Sequence, residues 1–105
     1  MEAATFTIIG EPTRLRILDA LRDGAQAVGD LVERLNTSQP TVSKHLRILR
    51  EAGFVRCRVD AQRRIYELNS APFGELDAWL QTYMRTWNTS FDRLEQLLEE
   101  ERSEE

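Results

Sequence analysis

Residues 38–53, Ser-Gln-Pro-Thr-Val-Ser-Lys-His-Leu-Arg-Ile-Leu-Arg-Glu-Ala-Gly, constrain the fold more than any other stretch, because both ends of one short helix are written into them. Ser38 suits the N-cap, where its hydroxyl can accept a backbone N–H that the first turn leaves unpaired. Pro40 falls in the first turn, where a missing N–H costs nothing. Gly53 suits the left-handed position just past the last turn. Between these stops Val42, Leu46 and Leu49 recur at i, i+4 and i+7 as a single apolar stripe. Gln39, Ser43, Lys44 and Arg47 point away from that stripe. A helix held by one face, with donors and cations on the other, fits the major groove of DNA. The same pattern is also that of an ordinary solvated helix, so the flanking chain has to decide.

The flanks supply a recognisable order of elements. Residues 3–9 read as a short helix ending at Gly10, whose Phe6 and Ile9 need a partner surface. Pro12 opens a second helix, with Leu15, Ile17, Leu18 and Leu21 expected inward and Arg14, Arg16 and Arg22 outward. Asp23 and Gly24 end it. A third helix spans about 28–35, with Val28, Leu31, Val32 and Leu35 apolar, and Asn36 and Thr37 break the chain before Ser38. Two helices joined by a short turn, the second with a polar face, make a helix-turn-helix. In such a unit the second helix enters the major groove by its N-terminal half. After Gly53 the period changes. Residues 54–59 and 64–68 are rich in β-branched and aromatic side chains and read as two strands joined by 60–63. That hairpin places Arg58, Arg63 and Arg64 around its tip, where they can reach phosphates or serve only as surface charge. Helix-turn-helix followed by this hairpin is a winged helix. The expected fold is therefore mainly α, an α+β winged helix-turn-helix of about five helices and a two-stranded wing.

Net charge is −4, which by itself argues against nucleic acid, but its distribution reverses the argument. Residues 12–66 hold 11 Lys/Arg against 6 Asp/Glu, whereas residues 67–105 hold 3 against 10. A basic working half is set against an acidic one. The acidic run at 101–105 reads as a solubilising tail. No run of about 18 apolar residues is present, so no membrane span is expected. No basic stretch precedes an apolar one at the N-terminus, so no signal peptide is expected and a cytoplasmic address follows. One histidine, one cysteine and no glycine-rich phosphate loop leave no basis for an enzyme.

The last element is long. Pro72 starts an expected helix to about residue 100, on the order of 40 Å. Along it Phe73, Leu76, Leu80, Tyr83, Trp87, Leu94 and Leu97 repeat near 3.5-residue spacing, and Trp79, Met84, Phe91 and Leu98 widen the stripe. A chain of 105 residues cannot cover so much apolar length alone, and aromatic residues on it suit an interface. The expected arrangement is a homodimer built on this helix beside the N-terminal one, with Phe6, Ile9, Leu76, Leu80, Tyr83, Trp87, Phe91 and Leu94 at the interface. The alternative is that the stripe folds back on its own domain. As one domain, the chain divides into a DNA-binding part over 12–68, dimerisation helices over 1–10 and 72–100, and the tail.

Four segments in order resemble the ArsR/SmtB family of prokaryotic winged-helix repressors. They are Gly10-Glu-Pro-Thr-Arg-Leu-Arg-Ile-Leu18, Ser38-Gln-Pro-Thr-Val-Ser-Lys-His-Leu46, Leu49-Arg-Glu-Ala-Gly-Phe-Val55 and Arg63-Arg-Ile-Tyr-Glu-Leu68. The similarity covers about residues 6–98. It implies a homodimeric repressor whose first and last helices meet at the dimer interface, and operator binding that an inducer abolishes. Metal-sensing members carry cysteines in the helix before the recognition helix, or His, Asp and Glu ligands on the last one. Here the first region reads Val28-Gly-Asp-Leu-Val-Glu-Arg-Leu35, and the last helix has no histidine. Glu75, Asp77 and Asp92 remain, but carboxylates alone are poor ligands for soft or borderline metals. A redox pair needs two cysteines, and Cys57 is the only one. The chain thus resembles the branch without the metal-binding boxes; no metal site and no cofactor are expected, the inducer is not named by the sequence, and a metal- or ligand-responsive sensor with an atypical site is the alternative.

The DNA candidates are Ser38, Gln39, Thr41, Ser43, Lys44, His45 and Arg47 on the helix, and Arg58, Arg63 and Arg64 on the wing. His45 also fits a structural hydrogen bond within the helix-turn-helix, since it borders the packed stripe. Cys57 reads as a small packed residue, or as a thiol activated by Arg56 and Arg58. The expected partner is a double-stranded operator. A winged helix kept only for protein contacts is the alternative, but it has no need for the basic excess over 12–66.

Overall fold

The structure, a computed structural model, describes residues 3–104; residues 1, 2 and 105, the ends of the expected dimerisation segment and acidic tail, lie outside the described residues. The chain forms α1 (Ala3–Ile9), α2 (Pro12–Leu21), β1 (Gln26–Ala27), α3 (Val28–Leu35), α4 (Gln39–Glu51), β2 (Val55–Asp60), β3 (Arg63–Leu68) and α5 (Ser70–Glu104). It divides into two compact units, Met1–Phe73 and Gly74–Glu105.

The first unit holds the core. Helices α2, α3 and α4 pack on one another, and the sheet leans on them. Ile17, Leu31, Val42, Leu46, Leu49, Phe54 and Val55 are fully buried at its centre. The α4 stripe read from the sequence is that core: Val42, Leu46 and Leu49 are its buried residues. The caps also fall where the sequence puts them. Ser38 Oγ accepts the Thr41 N–H and donates to Thr41 Oγ1 at 2.9 Å. Gly53 takes φ +85°, open to glycine and strained for other residues. Asn36 takes φ +51° as the left-handed C-cap of α3, which turns the chain into the break before α4.

The wing differs from the expected two-stranded hairpin. Gln26 and Ala27 add a third strand, so the order is β1-β3-β2, all antiparallel, with Gln26 opposite Tyr66 and Ala27 opposite Ile65. Two residues carry no periodicity, which is why the strand is invisible in the sequence. It makes β3 the central strand, and its consecutive Ile65 and Tyr66 are both buried. The hairpin is tighter than 60–63: Asp60 pairs with Arg63, leaving only Ala61 and Gln62, with Ala61 at φ +57°. The wing base is tied to the end of α4, because Asn69 N–H donates to Phe54 O and Asn69 Nδ2 to Gly53 O, both at 2.9 Å. Phe54 meets Phe73 edge to face, with ring centroids 5.4 Å apart.

Two expectations on α2 are corrected. Leu15 is 44% exposed, because the inward stripe is Ile17, Leu18, Ala20 and Leu21. Arg14 is half-buried rather than outward, and its guanidinium donates to backbone carbonyls of α1; Arg16 is exposed as expected, with its Nη2 donating to Leu35 O.

The second unit is the remainder of α5. The helix begins at Ser70, two residues before Pro72, and runs through the last described residues. From residue 80 to residue 103 every side chain is exposed. Trp79 and Tyr83 stack edge to face at 5.0 Å.

Candidate nucleic-acid interface

Helix α4 and the sheet enclose an open cleft of about 500 Å³. From α4 it is lined by Gln39, Ser43, Lys44, Arg47 and Arg50, and from β3 by Arg64 and Tyr66. The geometry follows from the stripe. Burying Val42, Leu46 and Leu49 turns positions 39, 43, 47 and 50 onto one adjoining exposed face, one turn apart. Lys44, Arg47, Arg50 and Arg64 take part in none of the salt bridges among the described residues, so their charges are uncompensated. A concave basic surface beside an exposed helix N-terminus attracts a polyanion and orients it.

A second cleft of about 440 Å³ adjoins the first and shares Gln39 and Arg64 with it. Gln39 therefore stands at the junction of both, at the first position of the helix. Arg63 lines the second cleft and pairs with Asp30 of α3 at 3.0 Å in an exposed ion pair. Arg58 is exposed on β2, the outer strand. Ser38 and Thr41 are engaged with each other in the cap. His45 turns away from the clefts: its side chain is 12% exposed, with Nδ1 3.0 Å from Arg14 Nη1 and 3.6 Å from Glu11 Oε2.

Tyr66 sits opposite Cys57 across the hairpin. Its phenol is pushed above the ordinary tyrosine value, first by burial and then by its hydrogen bond with the Cys57 side chain; Arg64 and Arg50 pull the other way. The hydroxyl is thus neutral at physiological pH, a donor beside the cations rather than a competing negative charge. Cys57 itself is half-buried and free.

The sequence reading did not single out Arg50 and Tyr66. Arg50 was within reach of it, since it lies at i+7 from Ser43 and i+3 from Arg47 on the outward face. Tyr66 was not, because its place depends on β1 making β3 central.

Comparison with known proteins identifies the family. Residues 11–56, from the cap of α2 into β2, match the family model "Bacterial regulatory protein, arsR family". A transcriptional repressor of Bacillus subtilis, SdpR, is 34% identical over 79 residues, 75% of this chain and 88% of that protein. The chain belongs to the arsR family. An HTH-type transcriptional regulator of Mycobacterium tuberculosis, Rv2034, is 33% identical over 93 residues, covering 89% of this chain and 84% of that protein. Among solved structures, the transcriptional repressor BigR from Xylella fastidiosa superposes with a TM-score of 0.64 at 30% identity, covering 81% of this chain and 84% of that one. As an arsR-family member the protein is a DNA-binding transcriptional regulator, not an enzyme. Among the described residues no group of His, Cys, Asp and Glu is arranged to hold a metal ion. No described helix is long and apolar enough to cross a membrane.

Proposed function

We propose that this arsR-family regulator is a cytoplasmic homodimeric repressor of a palindromic operator, possessing α4 as its base-reading helix and the wing as its phosphate contact. The observation that carries the reading is the basic cleft between α4 and β3, whose Lys44, Arg47, Arg50 and Arg64 lack ion-pair partners among the described residues. Relatives named as repressors support the sign of regulation. In this reading Gln39, Ser43 and Lys44 face base edges, Arg47, Arg50 and Arg64 face phosphates, and Arg58 and Arg63 flank the tip. Ser38 and Thr41 set the helix N-terminus toward the backbone.

The dimer rests on α5 and α1. Leu80, Tyr83, Trp87, Phe91 and Leu94 are exposed along α5, Leu76 is half-buried, and Phe6 and Ile9 lie on α1. Each large apolar side chain gains about 1.5–3 kcal/mol when fully covered, which a second copy supplies. Two-fold pairing would set two recognition helices about 34 Å apart, one turn of DNA. The only cysteine and the only histidine are both placed in packed surroundings, so zinc, nickel or cadmium is expected to leave DNA affinity unchanged.

The test is a mobility-shift titration on DNA upstream of the protein's own gene, with excess unrelated competitor and at two salt concentrations. A shift that survives competitor, appears at two chains per site and weakens with salt supports the reading. A shift lost equally to any competitor leaves only the electrostatic attraction and overturns the assignment of that operator.

A further inference from the structure

Arg14 joins three elements that the sequence reading treats separately. Its Nε donates to Ile8 O and its Nη2 to Thr7 O at 3.3 Å, both carbonyls in the last turn of α1. Its Nη1 lies 3.0 Å from Nδ1 of His45 on α4. The guanidinium donates in that contact when Nδ1 of the ring carries no proton. Glu11 closes the arrangement, because its Oε2 accepts the Arg14 N–H at 2.9 Å and lies 3.6 Å from the same histidine nitrogen. That N–H is the first cause of the Glu11 carboxyl being held below its ordinary value.

These contacts carry unequal weight for the two helices they join. Helix α4 is anchored by three fully buried side chains, whereas α1 has seven residues and buries none. A helix that short has no stability of its own. Its last-turn carbonyls have no partners within the helix, and a cation is the favoured group to meet them. Gly10 closes the turn so tightly that a Cβ there would lie 2.8 Å from Phe6 O. Arg14 is therefore the latch of α1, and the third corner of that latch is a side chain of the base-reading helix, two residues from Ser43.

We propose that Arg14 is a positioning residue that couples the N-terminal helix to the recognition helix, so that the order of α1 and the seat of α4 rise and fall together. Whatever covers α1 then strengthens operator reading without touching DNA. Its guanidinium is engaged with the protein and is not offered to a phosphate. The inference rests on the DNA-reading role of α4 only for its second readout.

The first readout uses the full-length protein without DNA. His45→Ala changes α4 alone, yet amide hydrogen exchange at residues 7–10 of α1 is expected to rise severalfold. His45→Gln, which keeps an acceptor, is expected to stay near wild type. Unchanged α1 exchange in His45→Ala overturns the coupling whatever the protein does with DNA. The second readout is operator titration. Arg14→Ala and His45→Ala are each expected to lose about tenfold in operator affinity, with the double variant no weaker than the weaker single one. Binding to random DNA and the salt slope stay as in wild type. A salt slope reduced by about one, with equal loss on random DNA, would instead make Arg14 a phosphate contact and sink the proposal. If Arg14→Ala fails to fold, Arg14→Lys serves, since its single ammonium cannot reach all three acceptors and carries the same expectations.

Discussion

The unit over residues 1–73 and the unit over residues 74–105 both carry amphipathic helices, but they use their apolar faces in opposite ways. In the first, the stripe of α4 is wholly buried under α2, α3 and β2. In the second, Trp87, Phe91 and Leu97 are each about 60% exposed on a helix that continues for several more turns. The periodicity is equally clear in both. An apolar stripe thus states that a surface will be covered, and says nothing of whether the cover belongs to the same chain. It also separates two kinds of polar residue. Opposite a buried stripe, the polar face is fixed in direction and can read a partner; opposite an exposed one, no direction is fixed until the cover arrives.

The largest effect that would sharpen this contrast is in the core. Phe54→Ala removes a fully buried ring that also meets Phe73, and is expected to cost about 3–5 kcal/mol and unfold much of the protein in a urea titration. Retention of most of the stability would mean that the first unit is less dependent on its own core than its burial indicates. Next, Trp87→Glu places a charge on the exposed stripe. It is expected to weaken self-association by about 2 kcal/mol or more, read by sedimentation equilibrium, while the fold of the first unit persists by circular dichroism. An unchanged association constant would break the comparison at its second half. On the reading face, Gln39→Ala is expected to cost roughly 1–3 kcal/mol on the operator and to relax base preference. Arg64→Ala should instead weaken all sequences alike and flatten the salt slope by about one. The smallest effect lies at the wing tip, where Ala61→Gly relieves a left-handed alanine and is expected to raise stability by up to about 1 kcal/mol in thermal denaturation. A loss there would show that the turn is held by more than its backbone conformation.

Much of the fold was legible because its signals are local. The caps at Ser38, Asn36 and Gly53 act within a few residues of themselves, and the limits of α3 and α4 follow from them. What escaped depends on residues far apart in sequence. Strand β1 is only a pairing with β3, forty residues on. Leucines three apart suggest a stripe that includes Leu15, but the packing of α2 against α3 and α4 buries Ala20 beside the expected Ile17, Leu18 and Leu21 and leaves Leu15 exposed. Arg16 reads from the sequence only as an outward cation, yet its Nη2 donates to Leu35 O at 2.7 Å, at the end of α3. Half of the candidate site was readable, namely the α4 residues that lie outside the stripe. The wing half was readable only as a cluster of arginines, which the structure divides into Arg64 at the cleft, Arg63 on Asp30 and Arg58 on the outer strand.

The sequence by itself determined that the chain makes a capped, one-sided helix within a winged helix-turn-helix, because helix ends, apolar period and turn residues act over short range. It also determined the charge imbalance that suits the basic half to nucleic acid. The tertiary structure alone decided which cations face outward. Backbone carbonyls at the ends of α1 and α3 come within reach of Arg14 and Arg16 only after the helices pack, and the last carbonyls of a helix are favoured partners for a cation. It left Lys44, Arg47, Arg50 and Arg64 around one cleft, and turned His45 from a neighbour of the reading residues into the partner of Arg14.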